Sequence, residues 1–260
     1  MMESRQTILA ENRAYWTHRA PGYSDINRAE LATRQRQRWK RCLRDEITRR
    51  FPDRARAEVR VLDVGTGPGF FAVLLCELGY DVTAVDLTPA MLREARENAG
   101  ALAERIRFAE MNAEALDFAD GRFDVVVSRN LTWNLPHPEQ AYAEWSRVLR
   151  PGGLILNFDA NWYAYLFDEQ ARAGYEQDRR NSADQGAADQ NIGENFDVME
   201  DIARRVPLSR LRRPGWDLRQ LGDLGLAAEA DEQVWLRVWS EEEKLNFAST
   251  PLFLVRAQRN

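Results

Sequence analysis

Two carboxylates and a run of glycines are the residues best placed to do chemistry. Asp63 stands two residues before the turn Gly65-Thr66-Gly67-Pro68-Gly69, directly after the apolar run Val59 to Val64. A strand that ends in such a turn and leads into a helix brings main-chain N–H groups close to a ligand with no Cβ in the way. In the G-x-G-x-x-G turn of NAD-binding domains the third glycine lets the helix pack closely, and the helix amides receive a pyrophosphate. Here the glycines run G-x-G-x-G. A carboxylate so near the turn repels a pyrophosphate and attracts a ligand carrying ammonium and sulfonium charges. The spacing therefore favours S-adenosylmethionine over NAD. Asp86 closes the next apolar run, Tyr80 to Asp86, where it can accept hydrogen bonds from both hydroxyls of a ribose. Its other reading is an N-cap for the helix that begins at Pro89, a role Thr88 fills equally well.

Other reactive groups are few. The chain has two histidines, His18 and His137. His137, in the loop NLPHP, is the candidate general base, set against a plain reading as a solvent-facing loop residue. Tyr15, Trp16 and Tyr23 form an aromatic group suited to lie over a cationic sulfur, or else to pack as core; Tyr15 is carried as a second catalytic candidate. Cys42 and Cys76 sit in helical, partly apolar segments and read as small core residues. Two distant histidines and no paired cysteines leave no metal site to argue.

These residues are positioned by an alternation of short apolar runs and helical patterns. Strands are expected at Val59 to Val64, Tyr80 to Asp86, Ile106 to Glu110, Phe123 to Ser128 and Leu154 to Asp159. Helices fall between them at Gly69 to Leu78, Ala90 to Asn98 and Pro138 to Leu149, with Gly79 and Pro89 as punctuation. Parallel strands joined by helices imply a doubly wound α/β sheet that binds its ligand beyond the carboxyl ends of the strands. Ile8 to Asp45 is helical and aromatic-rich. Ala160 to Pro214, with the polar tract RRNSADQGAADQNIGEN, is too long for a mere connection. Trp216 to Leu224 reads as a helix, Leu226 to Trp239 as a long strand, and Pro251 to Gln258 as a last strand that completes an antiparallel edge. The expected organisation is an N-terminal helical cap (1–50), a Rossmann-like domain (51–160 and 216–260) and an inserted cap or lid (161–215).

Composition limits the partners. A net charge of −5 and no broad basic surface argue against nucleic acid as substrate. No apolar run approaches the roughly 20 residues of a membrane span, and the charged start MMESRQTILAENRAYW lacks a secretory signal, so a cytoplasmic protein is expected. Monomer and homodimer both fit the sequence.

With these pieces in order, the chain resembles the class I methyltransferases, in particular the ubiquinone/menaquinone-biosynthesis type (methyltransferase type 11) that acts on small molecules. The resemblance runs from about Tyr15 to Asn161 through VLDVGTGPGFFAVLL, VTAVDLTPAMLREAREN, MNAEALDFADGRFDVVVSRNLTW and EWSRVLRPGG. It implies a Rossmann-like, seven-stranded sheet with the last strand antiparallel, S-adenosylmethionine as cofactor, S-adenosylhomocysteine as product and a small-molecule methyl acceptor. It places the methionine moiety against Gly65, Thr66, Gly67 and Gly69, with Asp63 at its amino group and Tyr23 above. Asp86 takes the ribose, Leu87 and Met91 flank the adenine, and Ala113 and Glu114 complete that wall. Asn112 stands where the family usually has an aspartate that meets the adenine amino group. Arg129 and Asn130 lie beneath the sulfonium and methionine; the alternative for Arg129 is a surface salt bridge. A non-catalytic S-adenosylmethionine-binding module and a nucleic-acid or protein methyltransferase are the competing readings. Against the latter, Arg129-Asn-Leu-Thr-Trp133 stands where an Asn/Asp-Pro-Pro-aromatic motif belongs.

Overall fold

The computed structural model describes residues 2–186 and 196–260, with side chains from residue 7 onward; the end of the polar tract, after Gly186, lies outside the described residues. In chain order, helices α1 (Met2–Ala32) and α2 (Gln35–Arg50) precede β1 (Arg60–Val64), α3 (Phe70–Glu77), β2 (Asp81–Asp86), α4 (Pro89–Ala99) and β3 (Ile106–Glu110). Then come β4 (Phe123–Arg129), α5 (Pro138–Val148), β5 (Leu149–Asp159), α6 (Glu169–Asp184) and α7 (Phe196–Ala203). The chain closes with α8 (Gly215–Asp223), β6 (Leu226–Asp231), α9 (Trp235–Val238), α10 (Glu241–Asn246) and β7 (Phe253–Arg259).

Among the described residues the strands form one sheet in the order β3-β2-β1-β4-β5-β7-β6. Strands β1 to β5 pair in parallel, and β7 runs antiparallel between β5 and β6. Because successive side chains of a strand point to opposite faces, alternate residues divide between two cores. Val61, Val125, Val127, Leu154 and Leu156 face α2 and α3, where Trp39 packs 5.1 Å from Phe71 and 5.2 Å from Phe158. Leu62, Val64, Val126 and Ile155 face α5 and α8 with Tyr142, Trp145 and Leu221.

Two expectations shift. The long strand Leu226 to Trp239 ends at Asp231, whose carboxylate accepts the Gln233 N–H at 2.9 Å and an Arg237 N–H at 2.5 Å, turning the chain. Val234 and Val238 then recur at helical spacing and are buried, so α9 replaces the rest of the strand. Strand β5 starts five residues earlier than expected, at Leu149, with a shift of register opposite Phe123 to Val125.

The segment between β5 and α8 is anchored by a buried charge. The Arg213 side chain is 0% exposed and donates from Nη1 to Asp159 Oδ2 at 2.6 Å, and from Nε and Nη2 to Asp217 at 2.9 and 2.6 Å. Its Nη2 also reaches Thr132 Oγ1 at 2.7 Å. Asp159 in turn accepts from Thr132 Oγ1 at 2.5 Å and from the Trp133 N–H at 3.0 Å, and the Tyr142 hydroxyl donates to Asp217 at 2.6 Å. One guanidinium thus joins the end of β5, the turn after β4 and the start of α8. Removing one member of such a group strands the others without water or a partner. Arg213→Met is expected to lower the unfolding free energy by about 3–5 kcal/mol in urea denaturation; a loss below about 1 kcal/mol would contradict the anchoring role.

Candidate active-site cleft

A cleft opens beyond the carboxyl ends of β1, β2 and β4, with α1 contributing Leu9, Asn12, Arg13, Trp16, Tyr23 and Asn27 to its wall. Helix α1 is tied to the sheet on both sides. Asn12 Nδ2 donates to the Asn134 carbonyl at 2.9 Å, Arg13 pairs with Glu110 at 2.6 Å, and Arg129 donates to both oxygens of Glu30 at 2.5 and 3.1 Å. Ala20 packs under the same helix against Ala90 and Met91.

The glycine turn is drawn toward Asp86. The Thr66 N–H donates to the Val85 carbonyl at 2.9 Å, and the Gly67 N–H donates to Asp86 Oδ2 at 2.9 Å. The other carboxylate oxygen accepts the Thr88 N–H at 2.8 Å. Asp86 therefore braces the glycine turn and the approach to α4 at once, and its carboxylate keeps acceptor capacity for a ligand hydroxyl. Gly65 has φ +66°, and a Cβ there would fall 2.7 Å from Leu131. Gly69 has φ +88° and sits 3.0 Å from the Ala95 Cβ by the same construction. It lets α3 pack on α4 and is not part of the cleft wall.

The electrostatics have a definite sign. Asp63 is 2% exposed, and burial pushes its carboxyl up to about 7, with the Thr66 hydroxyl bond at 2.6 Å pulling back. Burial also raises Asp86, against the two main-chain N–H bonds. The cations at the wall are already matched: Arg13 to Glu110, Arg129 to Glu30. Burial disfavours the charged Arg129, but Glu30 outweighs it and holds the guanidinium protonated. That guanidinium also lies 4.9 Å from the Trp39 ring and 4.7 Å from Phe70. Among the described residues neither Asp63 nor Asp86 forms an ion pair, which suits the cleft to a cationic ligand.

Tyr23, Asp63, Gly65, Thr66, Gly67, Asp86, Leu87, Met91, Asn112, Ala113, Arg129 and Asn130, all singled out from the sequence, meet in this one cleft. Arg129 is a buried ion pair and not a surface one. Asn112 lines the wall with its amide oxygen accepting the Glu114 N–H at 3.0 Å. Glu114 itself is turned away: it is 4% exposed, accepts the His137 N–H at 2.7 Å, and does not line the cleft. His137 stands outside the lining at the N-cap of α5, with Nδ1 3.5 Å from Glu139. Tyr15 is likewise outside, its ring 5.1 Å from Trp16, which does face the cleft. Asn12, Glu30, Leu131 and Asn134 went unnoticed in the sequence, because no local spacing marks them.

The cleft also holds unspent hydrogen-bonding capacity that a ligand can use. Asn12, Asn130 and Asn134 line it, and each has a buried amide oxygen with no donor. Asn130 is held at φ 55°, a left-handed conformation rare outside glycine, by its own N–H to the Phe158 carbonyl at 2.8 Å and by Trp133 Nε1 on its carbonyl at 3.0 Å. The Asn130 oxygen beside two carboxylates suits the ammonium donor of S-adenosylmethionine.

The sheet order with its reversed β7, and the glycine turn after β1, define a class I methyltransferase fold. Residues 62–157 match a family described as a methyltransferase domain. A demethylmenaquinone methyltransferase of Thermus thermophilus is 37% identical over 139 residues, 53% of this chain and 60% of that protein. The namesake of Deinococcus radiodurans is 38% identical over 139 residues, 53% of this chain and 55% of that one. The chain therefore spans little more than half the length of these curated relatives. A solved S-adenosylmethionine-dependent methyltransferase of Aquifex aeolicus shares the fold at 17% identity and a TM-score of 0.50, covering 78% of this chain and 82% of that one. No helix among the described residues is long and apolar enough to cross a membrane.

The raised value of Asp63 has a consequence for stability. Its carboxyl holds its proton more tightly folded than unfolded, so its contribution is present in full below about pH 4 and is lost as pH rises toward 7. Asp63→Asn should gain on the wild type over that interval by a few kcal/mol, read from urea unfolding at a series of pH values. A stability difference that does not change with pH would count against it.

Proposed function

We propose that this chain is an S-adenosylmethionine-dependent methyltransferase that acts on a small-molecule acceptor. One observation carries the reading: Asp63, buried, and Asp86, half-buried, stand on either side of the glycine turn with no ion-pair partner among the described residues, while the arginines of the same wall are paired. The methyltransferase-domain match and the names of the quinone-methylating relatives support it.

When bound, S-adenosylmethionine supplies a methyl group already activated on a sulfonium. The work left to the protein is to hold the partners in line and keep water out. Asp86 takes the ribose hydroxyls through its remaining acceptor positions, and Asp63 with the unpartnered Asn130 oxygen receives the ammonium group. Leu87 and Met91 bracket the adenine, Ala113 closes its edge, and Asn112 meets its amino group. Trp16 and Tyr23, with ring centroids 5.5 Å apart, present aromatic faces to the positive sulfur. Helix α1 excludes water. This chemistry needs no strong base, and His137, outside the cleft wall, is given no part in it.

Calorimetric titration tests the assignment. S-Adenosylmethionine and S-adenosylhomocysteine are expected to bind in the micromolar range. Asp86→Ala should weaken both on the order of 100-fold, the loss of two hydrogen bonds to a charged group. Affinity for S-adenosylmethionine should also tighten as pH rises through about 7, because the ligand's cations favour ionised Asp63. A folded wild type that binds neither compound would overturn the reading.

A further inference from the structure

Asn12 and Asn134 form a site that the cofactor assignment leaves unused. They are 6% and 5% exposed, both line the cleft, and both have an amide oxygen buried without a donor. Neither is loosely held. Asn12 Nδ2 donates to the Asn134 carbonyl at 2.9 Å, which fixes α1 against the turn after β4. That turn is pinned through the Trp133 N–H and Thr132 Oγ1 to Asp159, and the Asn134 N–H closes it on the Leu131 carbonyl at 3.0 Å. A buried amide oxygen without a donor has lost its hydration with nothing in return, a deficit that a ligand donor placed there removes.

The surroundings narrow the chemistry of that ligand. Leu9, Trp16 and Leu135 make the neighbouring wall apolar. Arg13, the nearest cation in the sequence, is occupied by Glu110. An anionic group would meet two acceptors and no available positive partner. An N–H or O–H would meet unpartnered acceptors that the fold holds in place.

We propose that Asn12 and Asn134 are specificity-determining residues that receive an N–H or O–H donor of the methyl acceptor, so that the acceptor is an amine or hydroxyl compound on an apolar frame, and not a carboxylate. The inference rests on the methyltransferase reading above. Sites that hydrogen-bond a substrate donor reject the analogue lacking it, because their own polar groups are then left unpaired.

The experiment uses the full chain saturated with S-adenosylhomocysteine and two probe pairs, phenol against anisole and aniline against N,N-dimethylaniline, titrated by ligand-observed NMR. The wild type is expected to bind phenol and aniline at least about tenfold more tightly than their methylated partners. The near-isosteric double variant Asn12→Leu/Asn134→Leu is expected to lose that preference while its affinity for S-adenosylhomocysteine stays within about threefold of wild type, which also reports that the variant is folded. The single variant Asn134→Leu should lie between them. Equal binding within each pair, no binding by any probe, a preference that survives the double substitution, or a comparable loss of S-adenosylhomocysteine affinity would each overturn the proposal. A wild type that does not bind S-adenosylhomocysteine at all would instead overturn the methyltransferase reading, and this inference with it.

Discussion

The geometry of the cleft depends on a guanidinium removed entirely from water. Arg213 joins Asp159 at the end of β5 to Asp217 at the start of α8, and through Thr132 it also holds the turn that follows β4. Charges buried at such cost persist only when every partner is in place. Here the partners include the Tyr142 hydroxyl, the Asn157 amide and the Trp162 indole. Because Asn130 and Asn134 bracket that turn, a fixed Asp159 means fixed positions for the amides that face the cleft. The long segment between β5 and α8 is drawn back to the sheet by the same contacts. Its helix α7 packs Met199, Ile202 and Ala203 beside Ile8 and Trp133, close to where α1 enters the cleft wall.

Around that frame the charges are distributed unevenly. The arginines of the cleft wall find carboxylates, whereas Asp63 and Asp86, whose ionisation burial disfavours, have no ion-pair partner among the described residues and gain one only from a cationic ligand. The glycines matter because they remove side chains at the point where main chain, Leu131 and ligand must all approach. The same turn in a dinucleotide-binding domain would present its amides to phosphate, but here the Gly67 N–H is already given to Asp86. An anionic ligand is opposed twice over, by the occupied amide and by the two carboxylates.

What could be read in the sequence was what short-range spacing dictates. Asp63, the glycine turn and Asp86 lie on consecutive strand ends, and a parallel sheet brings those ends together. The five parallel strands were legible for the same reason, whereas the reversed last strand of the seven is what the family resemblance implies. Pairings across long separations were not: Glu30 to Arg129, Asn12 to Asn134 and Arg213 to Asp159 are joined only by the tertiary fold. His137 and Tyr15 were chosen for their neighbourhood in the chain. The start of α5 and the packing of α1 place both outside the cleft wall. The overlong sixth strand came from apolar content without its period, where Val234 and Val238 repeat at helical spacing. Glu114, next to Ala113 in the chain, is spent on the His137 main chain and does not line the cleft.

The most direct test of the central claim, that the cleft between α1 and the glycine turn holds S-adenosylmethionine, is a crystal structure of the full chain soaked or grown with S-adenosylhomocysteine. The account predicts the ribose hydroxyls on Asp86, the amino group at Asp63 and Asn130, and the adenine between Leu87 and Met91. Density for the ligand elsewhere, or in the cleft with its ribose away from Asp86, would contradict it.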